Sequence, residues 1–478
     1  MPSLGLAMIV KNGADTLREC LNSVAGLTDQ IVIADTGSSD GTPKLAHELG
    51  AQVFDFPWQD DFAAARNAAL NALTTDWVLV LDDDEELDPG ARRAIPPLLG
   101  NPRIGGYTVT LRNYLPLRFG VGGHAPSIRP IQTPVRRVAG ARTYADFKLY
   151  RLFRRHPEIY YTGRVHELIE PRIRAQGLQL ASANFMIHHF GHVLSLDQVR
   201  AKDELYRRLG LLKIQDSPND PQAWTEIGQL EYERFRNYTP AIDYLKKALA
   251  LPGHSNVPYL ALANLFVDIQ ANDRALELLA RVSMNGRSAG AKENIRGDAL
   301  YNLGQLKAAR SAYLHALELL AEDARIASKL GLTEVRLGLK KHGLARLMRA
   351  LKAAPDAYEV HDRVIKAYIL MGMLPQAAEA AQQLAAVHRT AAAILRAASI
   401  CGQMNDWKTV ASLVLQGLEL FPRDVELLRA RAEFQREAGP FAPSARTISQ
   451  QSLELGTTVE RTSGERPDKA LMHNRTFG

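Results

Sequence analysis

Only two cysteines, Cys20 and Cys401, occur in 478 residues, and they fall in different segments of the chain. That excludes a disulfide framework and makes a reducing, cytoplasmic setting the expectation. No run of about 18 apolar residues is present, so no transmembrane helix is expected, although peripheral contact with a membrane surface stays open. The aliphatic stretch at 4–10, LGLAMIV, has no basic region before it and reads as a first strand, not a secretory signal. Glycine-rich nucleotide loops are missing as well. After the first strand the chain reads KNGADTL, with one glycine where a dinucleotide fingerprint needs three, and there is no P-loop.

Charge of one sign is scarce in one place. From Arg112 to Arg155 there are ten basic residues against the single acid Asp146, an excess larger than the +6 of the whole chain. Such a patch suits nucleic acid. It lacks, however, the interleaved aromatics of an RNA-binding sheet, so an anionic donor, acceptor or membrane surface fits at least as well and no nucleic acid is expected.

The first 100 residues alternate strands (4–10, 30–34, 52–56, 77–81) with helices (16–24, 42–49, 62–73). This alternation predicts a parallel sheet with helices on both faces, and ligands gather at the carboxyl ends of such strands. Lys11, Asn12, Asp35 and Asp82–Asp84 all fall there. Residues 105–192 are rich in Gly, Pro and Arg, with weak strands at 107–111, 148–153 and 184–189, and read as the acceptor-side half of the same domain with a long basic loop near 113–143.

From residue 220 small residues recur every 34 positions: Ala241, Ala275, Ala309, Gly343, Ala377 and Ala411. This is the tetratricopeptide period, and it predicts about six helical repeats over 220–437, stacked as a solenoid, after a linking helix at 201–219. The tail, 438–478, is polar and nearly free of aromatics, and disorder is expected there.

The stretch WVLVL at 77–81 runs straight into Asp82, Asp83, Asp84, Glu85 and Glu86. A solvated loop or a helix N-terminus would tolerate acids. At a strand end facing the ligand crevice, a divalent metal explains them better, and oxygen ligands suit Mg²⁺ or Mn²⁺. In an extended segment Asp82 and Asp84 point one way and Asp83 the other. Asp35 ends a strand before a loop with two glycines, where a carboxylate can meet a nucleobase or ribose; Ser39 or Asp40 reads as the cap of the next helix.

The blocks LAMIVKNGADTLRECLNSV, DQIVIADTGSSDGT, FPWQDDFAAARNAAL and DWVLVLDDDEEL, in that order, resemble glycosyltransferase family 2, in the branch where that domain precedes tetratricopeptide repeats. The likeness covers about residues 4–200. It implies the α/β GT-A fold, a nucleoside-diphosphate sugar donor (usually UDP-linked) and inversion at the anomeric carbon. By the same resemblance Asn12, Asp35, Arg66, Asp82 and Asp83 form the donor-binding set, although Arg66 also reads as a solvated helix arginine. Asp84 becomes the metal ligand, and Glu85 braces the site. An inverting transfer needs a base. The stretch RLFRRHPEIYYTGRVHELIEP resembles the family segment ending in His-Glu, which implies Glu167, with His166 beside it and Asp146 as the other candidate, although Glu167 also reads as the start of a helix. In FMIHHFGHV, His189 keeps the spacing of a family histidine that completes the metal or diphosphate site, although it also reads as a buried structural histidine, and His192 stands where a tyrosine is usual.

The expected function is a metal-dependent transfer to a peptide, protein or saccharide acceptor positioned by the repeats. A sugar nucleotidyltransferase needs a basic glycine-rich loop that KNGADTL lacks. A repeat adaptor with an inactive transferase-like domain is the reading from another class.

Overall fold

The structure, a computed structural model, describes residues 2–116, 129–130, 141–191, 196–320 and 323–437. His192, the tail at 438–478 and most of the basic loop lie outside the described residues. The first elements are β1 (Leu4–Val10), α1 (Leu17–Val24), β2 (Gln30–Asp35), α2 (Thr42–Glu48), β3 (Gln52–Asp55), α3 (Phe62–Ala72) and β4 (Trp77–Val80). Each matches an expected element to within a residue or two. Then come β5 (Glu85–Leu87), α4 (Ala91–Leu98), β6 (Ile104–Pro116), β7 (Arg129–Pro130), β8 (Ala141–Arg154), α5 (Glu170–Ala175) and β9 (Gln179–His189).

These strands form one nine-stranded sheet, ordered β3-β2-β1-β4-β8-β6-β9-β5, with β7 against β8. Strands β1 to β4 pair in parallel, whereas β8 runs antiparallel to both β4 and β6, and β5 antiparallel to β9. Both faces are buried, which is why the parallel strands read as continuous aliphatic runs rather than alternating ones. Leu4, Leu6 and Met8 pack with Leu17, Leu21, Val24 and Ile95 on one face. Ala7, Val32 and Val80 pack with Ala63, Leu70 and Ile173 on the other. Burying each large side chain contributes about 1.5–3 kcal/mol.

The compact unit that holds the sheet extends to Ser255, and so includes α6 (Leu196–Asp216), α7 (Pro221–Glu233) and α8 (Tyr238–Ala250). A second unit begins at Asn256. It is helical among the described residues: α9 (Val257–Asp268), α10 (Asn272–Ala280), α11 (Gly286–Asn302), α12 (Leu306–Leu320), α13 (Ala324–Arg336), α14 (Lys340–Ala353), α15 (Tyr358–Leu370), α16 (Leu374–His388), α17 (Ala391–Gln403), α18 (Trp407–Leu420) and α19 (Val425–Glu437).

The 34-residue series lands on the second helix of each pair, from Ala241 on α8 to Ala411 on α18, and every member is buried. At Gly343 a Cβ would come within 2.5 Å of the Gly331 carbonyl oxygen, so only glycine lets α13 and α14 approach this closely.

Candidate active site

Strand register gathers the site at the carboxyl ends of the parallel strands. Val10 pairs with Asp35, and Ala7 with Val80, so β1, β2 and β4 deliver Asn12, Asp35 and Asp82 to one edge. The antiparallel β8 enters from that same edge. Leu79 pairs with Leu152, which brings Arg151 level with Val80. On the other side Glu85 and Asn113 both pair with His189, placing the three in one row across β5, β9 and β6.

The three aspartates do not alternate as an extended segment would. Glu85 N–H donates to the Asp82 carbonyl at 3.0 Å, closing a turn, and the side chains diverge three ways. Asp83 turns back to β1 and accepts from Thr16 Oγ1 at 2.6 Å. A Cβ on Gly13 would sit 2.6 Å from an Asp83 oxygen, so glycine is required for that approach. Asp84 faces His189, with Oδ2 3.2 Å from Nε2. Asp82 faces two arginines.

Those arginines link five side chains in alternating charge: Glu167, Arg66, Asp82, Arg151, Glu85. Arg66, on α3 behind its Asp61 cap, donates Nε to Glu167 and Nη2 to Asp82 at 3.0 Å. Arg151 donates to Asp82 at 3.2 Å and to Glu85 at 2.9 Å. Glu85, 1% exposed, also accepts the Asp82 N–H at 2.9 Å, which gives it the bracing place expected of it. Burial opposes ionisation of Asp82, but Arg66 and Arg151 outweigh it and hold the carboxyl well below its usual range. Glu85 is pushed up to about 7 by burial and by Asp82, against the pull of Arg151. Arg66 Nη1 is buried and has no hydrogen-bond partner among the described residues.

Asp35, 4% exposed, accepts from Ser38 Oγ at 2.5 Å, and Ser38 Oγ in turn accepts the Asn12 N–H at 2.8 Å. Asn12 holds a left-handed φ of 56° and accepts Ser39 N–H at 2.8 Å. Ser39 is thus tied to β1 rather than to α2. Asp40 receives the Thr42 N–H at 3.0 Å while Gly41 occupies the cap position. Asp146 is taken up by Arg112, through two bonds of 2.8 and 2.9 Å. Glu167 sits in a loop before α5, not at a helix start.

Among the described residues no group of three or more His, Cys, Asp or Glu side chains converges as a metal cage. Asp84 and His189 nevertheless suit a divalent ion. Asn113 Oδ1 lies 2.7 Å from His189 Nδ1, the outer contact that turns the opposite ring nitrogen toward a ligand site. Burial lowers the His189 pKa, but Asp84 more than offsets this and raises it to about 9. One carboxylate and one imidazole would leave room in such an ion's coordination for ligand oxygens and water, as Mg²⁺ or Mn²⁺ prefers.

Reading by motif missed Arg151, Asn113 and Tyr206. Tyr206, on α6, is pushed up to about 12 by burial and by the neighbouring Glu167 and Asp82 carboxylates. Only the basic tract hinted at Arg151; nothing local marks the other two.

Residues 6–113 match the model of glycosyl transferase family 2, and residues 237–337 that of a tetratricopeptide repeat-like domain. A TPR repeat-containing protein of Synechococcus elongatus is 34% identical over 238 residues, 48% of this chain and 52% of that protein. The SPbeta prophage-derived glycosyltransferase SunS of Bacillus subtilis is 25% identical over 257 residues, 52% of this chain and 53% of that protein. An uncharacterized glycosyltransferase of Rickettsia prowazekii is 36% identical over 87 residues, 18% of this chain and 30% of that protein. The chain spans about half, or less, of the length of these curated relatives. Among the described residues no helix is long and apolar enough to cross a membrane.

Proposed function

We propose that this chain, with a glycosyl transferase family 2 domain followed by a tetratricopeptide repeat-like domain, is an inverting glycosyltransferase using a nucleoside-diphosphate sugar, with UDP as the nucleotide. The acceptor is a peptide, protein or saccharide positioned with the help of the repeats, and the setting is cytoplasmic. The observation that carries this reading is the alternating chain from Glu167 to Glu85 at the strand ends, with Asp84 and His189 beside it.

Asp35 and Asn12 face the base and ribose of the donor, with Asp82 and Asp83 closing the nucleotide side. Arg66 supplies its unpartnered Nη1 to the donor phosphates. An unmade buried N–H is costly, and an anionic ligand relieves it. Asp84 and His189 would hold Mg²⁺ or Mn²⁺, which supplies charge neutralisation for a departing diphosphate.

Glu167 is the base. Arg66 fixes one of its oxygens and thereby orients the other. The acceptor hydroxyl attacks the anomeric carbon, its proton passes to Glu167, and the bond from that carbon to the phosphate oxygen breaks with the electron pair leaving on the nucleoside diphosphate.

The test is UDP release from UDP-glucose and UDP-N-acetylglucosamine, with Mn²⁺ and with EDTA. Release that requires the metal supports the proposal. No release from any nucleotide sugar under either condition would favour the adaptor reading.

A further inference from the structure

The loop that carries Glu167 is not held by the sheet alone. Its ends are tied by reciprocal bonds of 3.0 Å between Thr162 and Leu168, and the Phe62 N–H reaches the Arg164 carbonyl at 2.9 Å. The three residues just before Glu167 are each gripped by a helix that follows the sheet. Arg164 pairs with Asp216, the last residue of α6. The Val165 carbonyl accepts Lys213 Nζ at 2.9 Å, again from α6. His166 Nδ1 lies 3.2 Å from Glu226 Oε2, on α7, the first helix of the repeat series. Lys213 and Glu226 close the clamp on each other at 2.7 Å, and Gln222 holds the second Glu226 oxygen at 2.8 Å.

Two features make this more than packing. His166 adopts a left-handed φ of 51°, a conformation a non-glycine residue keeps only when its surroundings impose it. It immediately precedes Glu167, so that angle sets where the carboxylate points. The Lys213 side chain is only 8% exposed, and a buried ammonium held by a carbonyl and a carboxylate has little freedom to move. Burial raises the Glu226 pKa, but His166 and Lys213 outweigh it and hold the carboxyl below its usual range, consistent with a charged partner at the centre of the clamp.

We infer that Lys213 and Glu226 are positioning residues for Glu167: the helix after the sheet and the first repeat helix belong to the catalytic apparatus rather than to acceptor recognition alone. The inference rests on Glu167 acting as the base. A displacement of about 1 Å in a reacting group costs on the order of 10²-fold in rate. Loosening the clamp is therefore expected to lower kcat about 10- to 100-fold while donor KM stays within about twofold.

The experiment uses full-length Lys213→Met, Glu226→Gln, Lys213→Arg and Glu167→Gln, with steady-state kinetics beside hydrogen exchange resolved to residues 162–168. The expected result is faster exchange in that loop and unchanged protection of β1 and β4. The kcat loss appears in Lys213→Met and Glu226→Gln and is partly restored in Lys213→Arg. Unchanged loop exchange overturns the inference. So does faster exchange with full kcat when Glu167→Gln is inactive. If Glu167→Gln transfers normally, the base assignment fails on its own, and faster exchange in the clamp variants still establishes the grip of α6 and α7 on the loop. Should Lys213→Met fail to fold, Glu226→Gln carries the test.

Discussion

Glu85 in the sheet and Glu334 in the repeats are equally buried, each 1% exposed, and each is bonded to arginine, yet their surroundings differ in one respect. Glu334 has two arginines to itself, Arg310 at 3.3 Å and Arg346 at 3.1 Å, whose side chains are 39% and 27% exposed. Glu85 shares one arginine, Arg151, with Asp82. Along the strand ends three carboxylates (Glu167, Asp82, Glu85) meet two guanidinium groups, while beside them Asp83 is met by Thr16 and Asp84 by His189. A buried carboxylate is thus no sign of function in itself. The sign is carboxylates that outnumber the arginines they share, at the edge of a sheet where a ligand can supply a cation.

Substitutions at the two places should behave differently. The largest effect is expected from Asp84→Asn, which removes a carboxylate oxygen from the proposed metal site. Transfer should fall by about 10³-fold, the several kcal/mol that metal neutralisation supplies, whereas Glu334→Gln should leave it within about twofold. Glu167→Gln should lower kcat by about 10²- to 10⁴-fold with UDP affinity retained, since it removes a proton acceptor and not a donor contact. Full transfer by that variant would move the base role elsewhere.

Stability separates the two glutamates next. Arg151→Gln strands Glu85 in the interior, while Asp82 keeps Arg66, and should cost about 3–5 kcal/mol in urea unfolding. Glu334→Gln leaves two half-exposed arginines that water can reach and should cost about 1 kcal/mol. Equal losses would remove the distinction. The smallest effect belongs to Thr16→Val, which deletes one hydrogen bond to Asp83: about 1–1.5 kcal/mol of stability, with transfer reduced less than tenfold.

Much of this architecture was legible in advance because it depends on local pattern. The strands from β1 to β4 and their helices followed from aliphatic runs and turn residues. The repeat register followed from small residues at a fixed period, which landed buried from Ala241 to Ala411. What pattern could not reach was pairing between distant strands. Arg151 meets Asp82 because β8 enters the sheet antiparallel to β4, and Asp84 meets His189 because the three-residue β5 pairs with β9. Neither pairing has a local signature. The expectation that Asp82 and Asp84 share a direction failed for a related reason: the bond from Glu85 to Asp82 closes a turn where period-two alternation assumes an open strand. Lys213 and Glu226, in helices read as linker and repeat, reach back to the Glu167 loop only through tertiary packing.

Calorimetric titration of UDP into the protein and into Asp84→Asn, each with Mn²⁺ and with EDTA, tests the metal role of Asp84 most directly. The predicted result is binding to the native protein that requires Mn²⁺ and is lost in Asp84→Asn, with the helical circular dichroism of the repeats unchanged. UDP binding of equal strength with metal and with EDTA, or an Asp84→Asn variant with unaltered metal dependence, would contradict it.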